Sequence, residues 1–182
     1  MSLVDTAATS TLPKLVQRNA EQDPRGAGIR EKSRGVWQTY SWQAYRDNVR
    51  DFALGLAALG FQRGDKLSVA GDNRPQLYFA QLSAQALGGI SVPVYQDSIA
   101  AELVYVLNHA ETSVIVAEDQ EQVDKALSLK ERLPRLRWII YDDPRGLSFY
   151  DDPILRSFKS VLEEGRTFGK ANPGFYDGEV AK

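Results

Sequence analysis

The chain has 182 residues, of which 43% are hydrophobic and 25% are charged, and its formal net charge at pH 7 is −2. This length suits one domain with its own core, and the lack of cysteine excludes a disulfide scaffold and a thiol nucleophile. The basic residues are scattered, which does not indicate a nucleic-acid-binding protein. No membrane span and no signal peptide are recognisable, so we expect a cytoplasmic protein.

The first third of the chain predicts a short helix, a β-hairpin and a longer helix. Two extended segments flank Ser33-Arg34-Gly35, which predicts a hairpin with a three-residue loop. Ser41 is a natural N-cap, and the apolar residues that follow it recur at helical spacing until Gly60 ends the helix. Gly55 interrupts this helix, and we expect close packing against a neighbouring element to compensate.

The next segment predicts a complete strand–helix–strand unit. The apolar run Leu67–Ala70 is short enough for a buried strand, and Pro75 occupies the first helical position, where its missing N–H is tolerated. Gly88-Gly89 ends the helix, and Ile90–Val94 predicts a second strand. Two parallel strands joined by a helix form a right-handed βαβ crossover.

The alternation of helices and strands continues further along the chain. Ser98 begins a predicted helix, and residues 113–117 form a third strand. Asp119 with Gln122 has the spacing of a capping box, and residues 136–141 form a fourth strand. This order predicts an α/β fold, namely a parallel doubly wound sheet with flanking helices and an N-terminal β-hairpin.

The two ends of the chain carry weaker patterns. Residues 1–10 are small and polar and are predicted to be a disordered N-terminus, so the predicted single α/β subdomain covers residues 11–182. One or two helical turns are predicted within residues 154–162. Residues 167–182 show no period and are predicted to be a connection to a further part of the protein.

The polar residues that follow the predicted strands have two interpretations. Ligands of open parallel sheets bind beyond the carboxyl ends of the strands, where Asp72, Asp97 and Asp119 could hold Mg²⁺. Alternatively, Asn73, Asp97 (or Ser98) and Asp119 cap the helices that follow. We prefer capping, because helix caps are far commoner than ion sites.

Other signatures of catalysis are missing from the sequence. No G-x-G-x-x-G follows a strand and no Walker-type phosphate loop is present. His109 is the single histidine and has no accompanying serine or cysteine motif, which argues against general-base catalysis by this residue.

Several phrases of the sequence, in this order and spacing, resemble the adenylate-forming enzymes, the superfamily of acyl-CoA synthetases, luciferases and peptide-synthetase adenylation domains. The branch they resemble most is the bacterial long-chain fatty acid–CoA ligases. The phrases are Thr39-Tyr40-Ser41-Trp42 with Tyr45, Arg63-Gly64-Asp65, Asp72-Asn73-Arg74-Pro75, Leu87 to Tyr95 with Gln96-Asp97-Ser98, Glu118 to Lys125, and Ile140 to Gly146.

The resemblance implies that the chain is the N-terminal subdomain of such an enzyme. The parent would join a fatty acid to AMP, using ATP and Mg²⁺, and then transfer the acyl group to coenzyme A. The loop that holds the ATP phosphates, the Mg²⁺ ligands and the catalytic lysine of the family match no position here, so the resemblance implies no catalytic, cofactor-binding or metal residue. Asn73 and Arg74 are the candidate substrate-proximal residues, since they follow the first strand.

The leading hypothesis is therefore a truncated ligase that is inactive by itself. Self-association is expected where an apolar face meant for the missing part is exposed. The alternatives are a stand-alone α/β binding or interaction module, an adenylate-forming enzyme with a different carboxylate substrate, and a small Mg²⁺- or nucleotide-binding enzyme that uses the three strand-end aspartates.

Overall fold

A computed structural model describes residues 11–182, and the predicted disordered N-terminus lies outside the described residues. Within residues 11–182 no helix is long and apolar enough to cross a membrane. The helices are α1 (Leu12–Gln22), α2 (Trp42–Ala58), α3 (Pro75–Ala86), α4 (Ala100–His109), α5 (Gln120–Leu129), α6 (Phe158–Ala171) and α7 (Phe175–Ala181). The strands are β1 (Ala27–Ser33), β2 (Val36–Ser41), β3 (Lys66–Ala70), β4 (Ile90–Val94), β5 (Thr112–Ala117), β6 (Trp138–Tyr141) and β7 (Leu155–Ser157).

The central sheet is parallel and doubly wound, as predicted. Its five strands lie in the order β4-β3-β5-β6-β7, and β1 and β2 form a separate antiparallel hairpin. Helices α2, α3 and α6 cover one face of the sheet with the larger core, while α4 and α5 cover the other face. The strands β3 and β5 are buried almost throughout, which explains their continuous apolar runs.

The predicted three-residue hairpin loop is wrong, because Ser33 pairs directly with Val36 and leaves only Arg34 and Gly35 in the loop. Both loop residues have positive φ angles, 48° and 80°. This is the geometry of a type I′ turn, whose twist matches that of the paired strands.

The predicted helix caps are right in two places and wrong in two others. Ser41 Oγ accepts a hydrogen bond from Ala44 N, and Asp119 accepts one from Gln122 N. The expected caps at Asn73 and at Asp97 or Ser98 are wrong, because α3 and α4 have Arg74 and Ile99 as N-caps without side-chain hydrogen bonds. Asn73 is engaged elsewhere: its Oδ1 accepts a hydrogen bond from the Tyr78 hydroxyl.

The C-terminal segment is more regular than its sequence predicts. Instead of one or two turns, α6 runs for 14 residues, and the strand before it, β7, adds a fifth strand to the sheet. Residues 167–182 are not an irregular connection, since they complete α6 and form α7. Helix α7 buries Tyr176 and Val180 in the main core.

Helices α2 and α6 make the most extensive contact between helices. A Cβ on Gly55 would lie 2.2 Å from the carbonyl oxygen of Val161, and one on Gly165 would lie 1.8 Å from that of Asp51. The predicted close packing at Gly55 is therefore confirmed. The two glycines let the helix backbones touch.

Strand β4 is an edge strand whose outer side is poor in hydrogen-bond donors. Ile90 N donates to Asp65 O on the β3 side, so the backbone groups of alternate residues, including Pro93, face outward. Proline has no N–H, so its position on the outer side leaves this edge without a donor for pairing with another strand.

Candidate functional site

The candidate site is a cleft at the carboxyl end of the sheet, beneath the β1–β2 hairpin. In open parallel sheets this is the end at which ligands bind. The cleft has a volume of about 510 Å³. Its charged lining consists of four acidic and four basic residues, namely Glu31, Glu118, Asp142, Asp143, Lys32, Arg34, Arg74 and Arg145.

Local structure brings these side chains together. Glu118 directly follows β5 and Asp142 directly follows β6, so the parallel register places them at the same edge. Gly71, at the end of β3, has a φ of 148°, and a Cβ there would lie 2.4 Å from Glu118 Cβ. Only glycine lets the β3–α3 turn approach so closely, and this turn carries Arg74 into the cleft.

Arg74 is the link between the hairpin and the sheet. Its Nε donates to Glu118 Oε1 at 2.8 Å, and its Nη1 lies 3.6 Å from Glu31 Oε2. Both carboxylates are largely buried, with 13% and 15% of the side chains exposed. The hydrogen bond to Glu118, together with the charges of both carboxylates, raises the pKa of Arg74. One guanidinium thus neutralises acidic groups from two elements.

Asp142 is the titratable group of the cleft. Burial, followed by repulsion from Glu31 and Asp143, raises its pKa to about 6, although the positive charge of Arg74 acts in the opposite direction. Asp143 behaves differently, because hydrogen bonds from Arg145 lower its pKa. A strongly perturbed carboxyl group in a cleft is a physical indication of a functional site.

Because the pKa of Asp142 is about 6, this carboxyl group keeps its proton to a higher pH than an ordinary aspartate, and the other carboxylates offer oxygens to hydrogen-bond donors. The cleft does not suit triphosphate, because the guanidinium groups of Arg74 and Arg145 are already bound by carboxylates. Pro75, at the first position of α3, further removes a backbone donor from the helix N-terminus. Within residues 11–182 no three acidic or histidine side chains lie close enough to hold a metal ion.

The residues singled out from the sequence are only partly brought together. Arg74 lines the cleft, and Asn73 lies beside it on the exposed turn. None of the three aspartates proposed for Mg²⁺ lines the cleft. Asp72 accepts a hydrogen bond from Asn73 N, Asp97 interacts with the Tyr95 hydroxyl, and Asp119 caps α5.

The sequence reasoning missed three residues of the cleft, namely Glu31, Glu118 and Asp142. The strand-end rule could have found the last two, because each follows a predicted strand directly. Glu31 lies within the hairpin, and no local signal connects the hairpin with the end of the sheet.

Comparison with known proteins gives consistent matches. The family profile "AMP-binding enzyme" matches residues 16–159. An uncharacterized protein of Mycobacterium tuberculosis is 37% identical over 123 residues, which are 68% of this chain and 69% of that protein. The long-chain-fatty-acid–CoA ligase heimdall of Drosophila melanogaster is 28% identical over 168 residues, covering 90% of this chain but only 25% of the ligase.

The fold also matches a solved structure of a CoA synthetase. Acetoacetyl-CoA synthetase from Streptomyces lividans superposes with a TM-score of 0.73 at 22% identity, over 82% of this chain and 24% of the synthetase. This chain therefore spans about a quarter of the length of that synthetase and of the Drosophila ligase. With the family profile matching most of its residues, the chain belongs to the AMP-binding enzyme family.

Proposed function

We propose that this chain is the N-terminal part of a long-chain fatty acid–CoA ligase. Such an enzyme converts ATP, a fatty acid and coenzyme A into acyl-CoA, AMP and pyrophosphate through an acyl-adenylate. The observation that carries the proposal is the alignment of 90% of the chain with 25% of a long-chain-fatty-acid–CoA ligase at 28% identity. A cytoplasmic location is part of the proposal.

We infer that the chain alone is inactive. ATP would supply the adenylyl group that activates the carboxylate, but the carboxylates of the cleft repel its phosphates and already bind Arg74 and Arg145. Mg²⁺ would neutralise those phosphates, but among the described residues, 11–182, no three acidic or histidine side chains lie close enough to hold it. The part played by this chain is the positioning of substrate. Asn73 and Arg74 are its proposed substrate-proximal residues, because they lie at the ligand-binding end of the sheet and Arg74 is held at a fixed place by Glu118.

The test is fatty-acid-dependent exchange of pyrophosphate into ATP, measured on residues 1–182 and on the product of the complete reading frame. Exchange by the longer polypeptide only is the expected result. Exchange by residues 1–182 would refute the inference of inactivity. If neither polypeptide catalysed exchange with any carboxylate, the proposed ligase activity would be refuted. A panel from acetate to long-chain fatty acids decides the acyl group, because an acetoacetyl-CoA synthetase also shares the fold.

A second candidate is a stand-alone interaction module. The Mycobacterium tuberculosis relative favours it, because the 123 aligned residues make up 69% of that protein and 68% of this chain, so the two proteins are about equally long. A specific partner recovered with the chain, together with no exchange by any longer product, would support this candidate over the ligase.

Copies of the chain are also proposed to associate through apolar side chains that the remainder of a ligase would cover. Ile90, Ile99 and Tyr105, on or beside β4 and α4, are 52%, 63% and 72% exposed. Because Pro93 blunts the β4 edge, this association involves side chains more than strand pairing. Light scattering over a wide concentration range tests it, and a monomer at every concentration would contradict it.

A further inference from the structure

The β1–β2 hairpin has two faces of opposite character. Its register pairs Lys32 with Trp37 and Arg30 with Thr39, and side chains of directly paired residues lie on the same face. These four residues are exposed and define the outer face of the hairpin, although Lys32 also lines the edge of the cleft. Glu31 belongs to the opposite face, where it approaches Arg74.

The outer face is basic. Arg30 and Lys32 lie on this face of β1, and Arg34 follows at the tip of the turn, between the outer face and the cleft that it also lines. Within residues 11–182 none of these three cations takes part in an ion pair. No acidic residue lies among the exposed positions of the outer face. Because the whole chain has a net charge of −2, this patch is a local feature and not a general excess of positive charge.

The same region exposes apolar side chains. Trp37 is 64% exposed and Val36, beside it at the turn, is 60% exposed. An indole ring on a protruding element, surrounded by cations, suits a boundary where an apolar layer lies beneath an anionic one. In addition, Arg34 has a φ of 48°, a conformation that asparagine or glycine adopts at lower cost, so the local backbone conformation does not account for an arginine at the tip.

We propose that the outer face of the hairpin, Arg30, Lys32, Arg34 and Trp37, binds the surface of a bilayer that contains anionic lipids. Charge complementarity selects the partner: the three cations meet the phosphate and carboxylate headgroups, while Trp37 enters the zone between headgroups and acyl chains. A flat surface can contact all four side chains at once because Arg30, Lys32 and Trp37 lie on one face of the hairpin and Arg34 lies at its tip. This binding requires no ATP, so a failure of the vesicle experiment and a failure of the proposed ligase activity can be distinguished.

The test is sedimentation of the chain with vesicles, either of phosphatidylcholine alone or with about a quarter of phosphatidylserine. One variant combines Arg30→Gln, Lys32→Gln and Arg34→Asn, of which the last replaces the strained arginine by a residue that suits the turn. The matched control carries Arg132→Gln, Arg135→Gln and Lys159→Gln, three exposed cations outside the hairpin with the same change in net charge.

We expect binding to the vesicles that contain phosphatidylserine and little binding to phosphatidylcholine. Each basic residue near an anionic surface contributes about fivefold, so the triple hairpin variant should bind on the order of 100-fold more weakly, whereas the control should retain its affinity. Tryptophan emission should shift to shorter wavelength on binding, and Trp37→Thr should remove the shift while thermal unfolding shows that the fold is kept.

Three results would overturn the proposal. They are no binding to either vesicle, equal binding to both, and equal losses in the hairpin variant and the control. A single-stranded oligonucleotide provides the remaining comparison, since cations and an aromatic ring can also bind nucleic acid. Hairpin-dependent binding of the oligonucleotide, without binding to the anionic vesicles, would reject a lipid partner.

Discussion

Replacement of Gly165 by alanine tests whether the backbones of α2 and α6 are in direct contact. The added Cβ would lie 1.8 Å from the carbonyl oxygen of Asp51 and 2.6 Å from the nitrogen of Gly55. Both atoms belong to the backbone of α2, so no side-chain rotation can relieve the overlap. The two helices must move apart, and they lose packing along the most extensive contact between helices in the fold.

The expected cost follows from two opposing effects. Overpacking of a well-packed core costs about 1–3 kcal/mol, and a clash with backbone on this scale belongs at the upper end. Alanine is favoured over glycine within a helix by about 1 kcal/mol, which offsets part of that cost. Gly165→Ala should therefore lower the free energy of unfolding by about 2 kcal/mol, a large fraction of the stability of a typical domain.

Gly178 provides a matched control in α7. A Cβ at this position would meet no atom within 4 Å. Gly178→Ala should then raise the free energy of unfolding by about 0.5 kcal/mol through helix propensity alone. Urea unfolding of both variants, followed by far-UV circular dichroism, measures the two effects on the same scale.

A second substitution distinguishes helix contact from a local defect. A Cβ on Gly55 would lie 2.2 Å from Val161 O, so Gly55→Ala separates the same two helices. Once the helices have moved apart, the second alanine costs less, and the double variant with Gly165→Ala should lose less than the sum of the single losses. If Gly165→Ala were as stable as the original chain while Gly178→Ala showed its gain, the close packing of α2 and α6 would be refuted.

Three further predictions concern the cleft and a helix cap. The pKa of Asp142 is raised from an ordinary 3.8 to about 6 in the folded chain, so the folded state holds this proton more tightly than the unfolded state. Its contribution to the free energy of unfolding is therefore fully present below pH 3.8 and is lost as the pH rises through 6. Asp142→Asn should therefore raise the free energy of unfolding by about 1–2 kcal/mol near pH 8 and by almost nothing near pH 4, a difference that urea titrations at both pH values measure and that a pH-independent effect would contradict. Arg74→Gln should cost about 1 kcal/mol at neutral pH, because Glu118 and Glu31 lose their cation, and it should raise the pKa of Asp142 in an NMR titration; an unchanged pKa would show that Arg74 does not act on this carboxyl group. Ser41→Ala removes the side-chain cap of α2 and should lower the unfolding free energy by about 1 kcal/mol in urea, and no loss would show that the cap is dispensable.

The packing at Gly165 also explains why the C-terminal helices could not be predicted from the sequence. Helix α6 contacts α2 through Gly165 and Gly169, and at these positions the buried side carries no apolar side chain. A search for apolar residues at helical spacing therefore loses the pattern in the middle of the helix. The shorter α7 shows only Tyr176 and Val180 on its buried side, which is too few for a period. By contrast, α2 carries a complete apolar stripe with a serine cap, and it was predicted correctly.

The cleft illustrates a different limit of sequence reasoning. Glu118 and Asp142 follow strands that were predicted, so their common location follows from the parallel order of the sheet. Glu31 reaches them only because Ile29 and Tyr40 pack the hairpin against the main core, and this is a tertiary contact without a local pattern. The helix-cap interpretation was wrong at Asn73 for a similar reason, since Tyr78 binds its side chain instead.

The register of the hairpin connects the cleft with the proposed lipid-binding face. Because side chains alternate along a strand, Glu31 turns towards Arg74 while Arg30 and Lys32 turn outward. A slip of one residue would exchange the two faces: it would put two cations beside Arg74 and expose Glu31 at the surface. The two-residue turn at Arg34 and Gly35 excludes that slip, because its geometry requires Ser33 to pair with Val36. One tight turn therefore determines both the charge balance around Asp142 and the basic character of the exposed face.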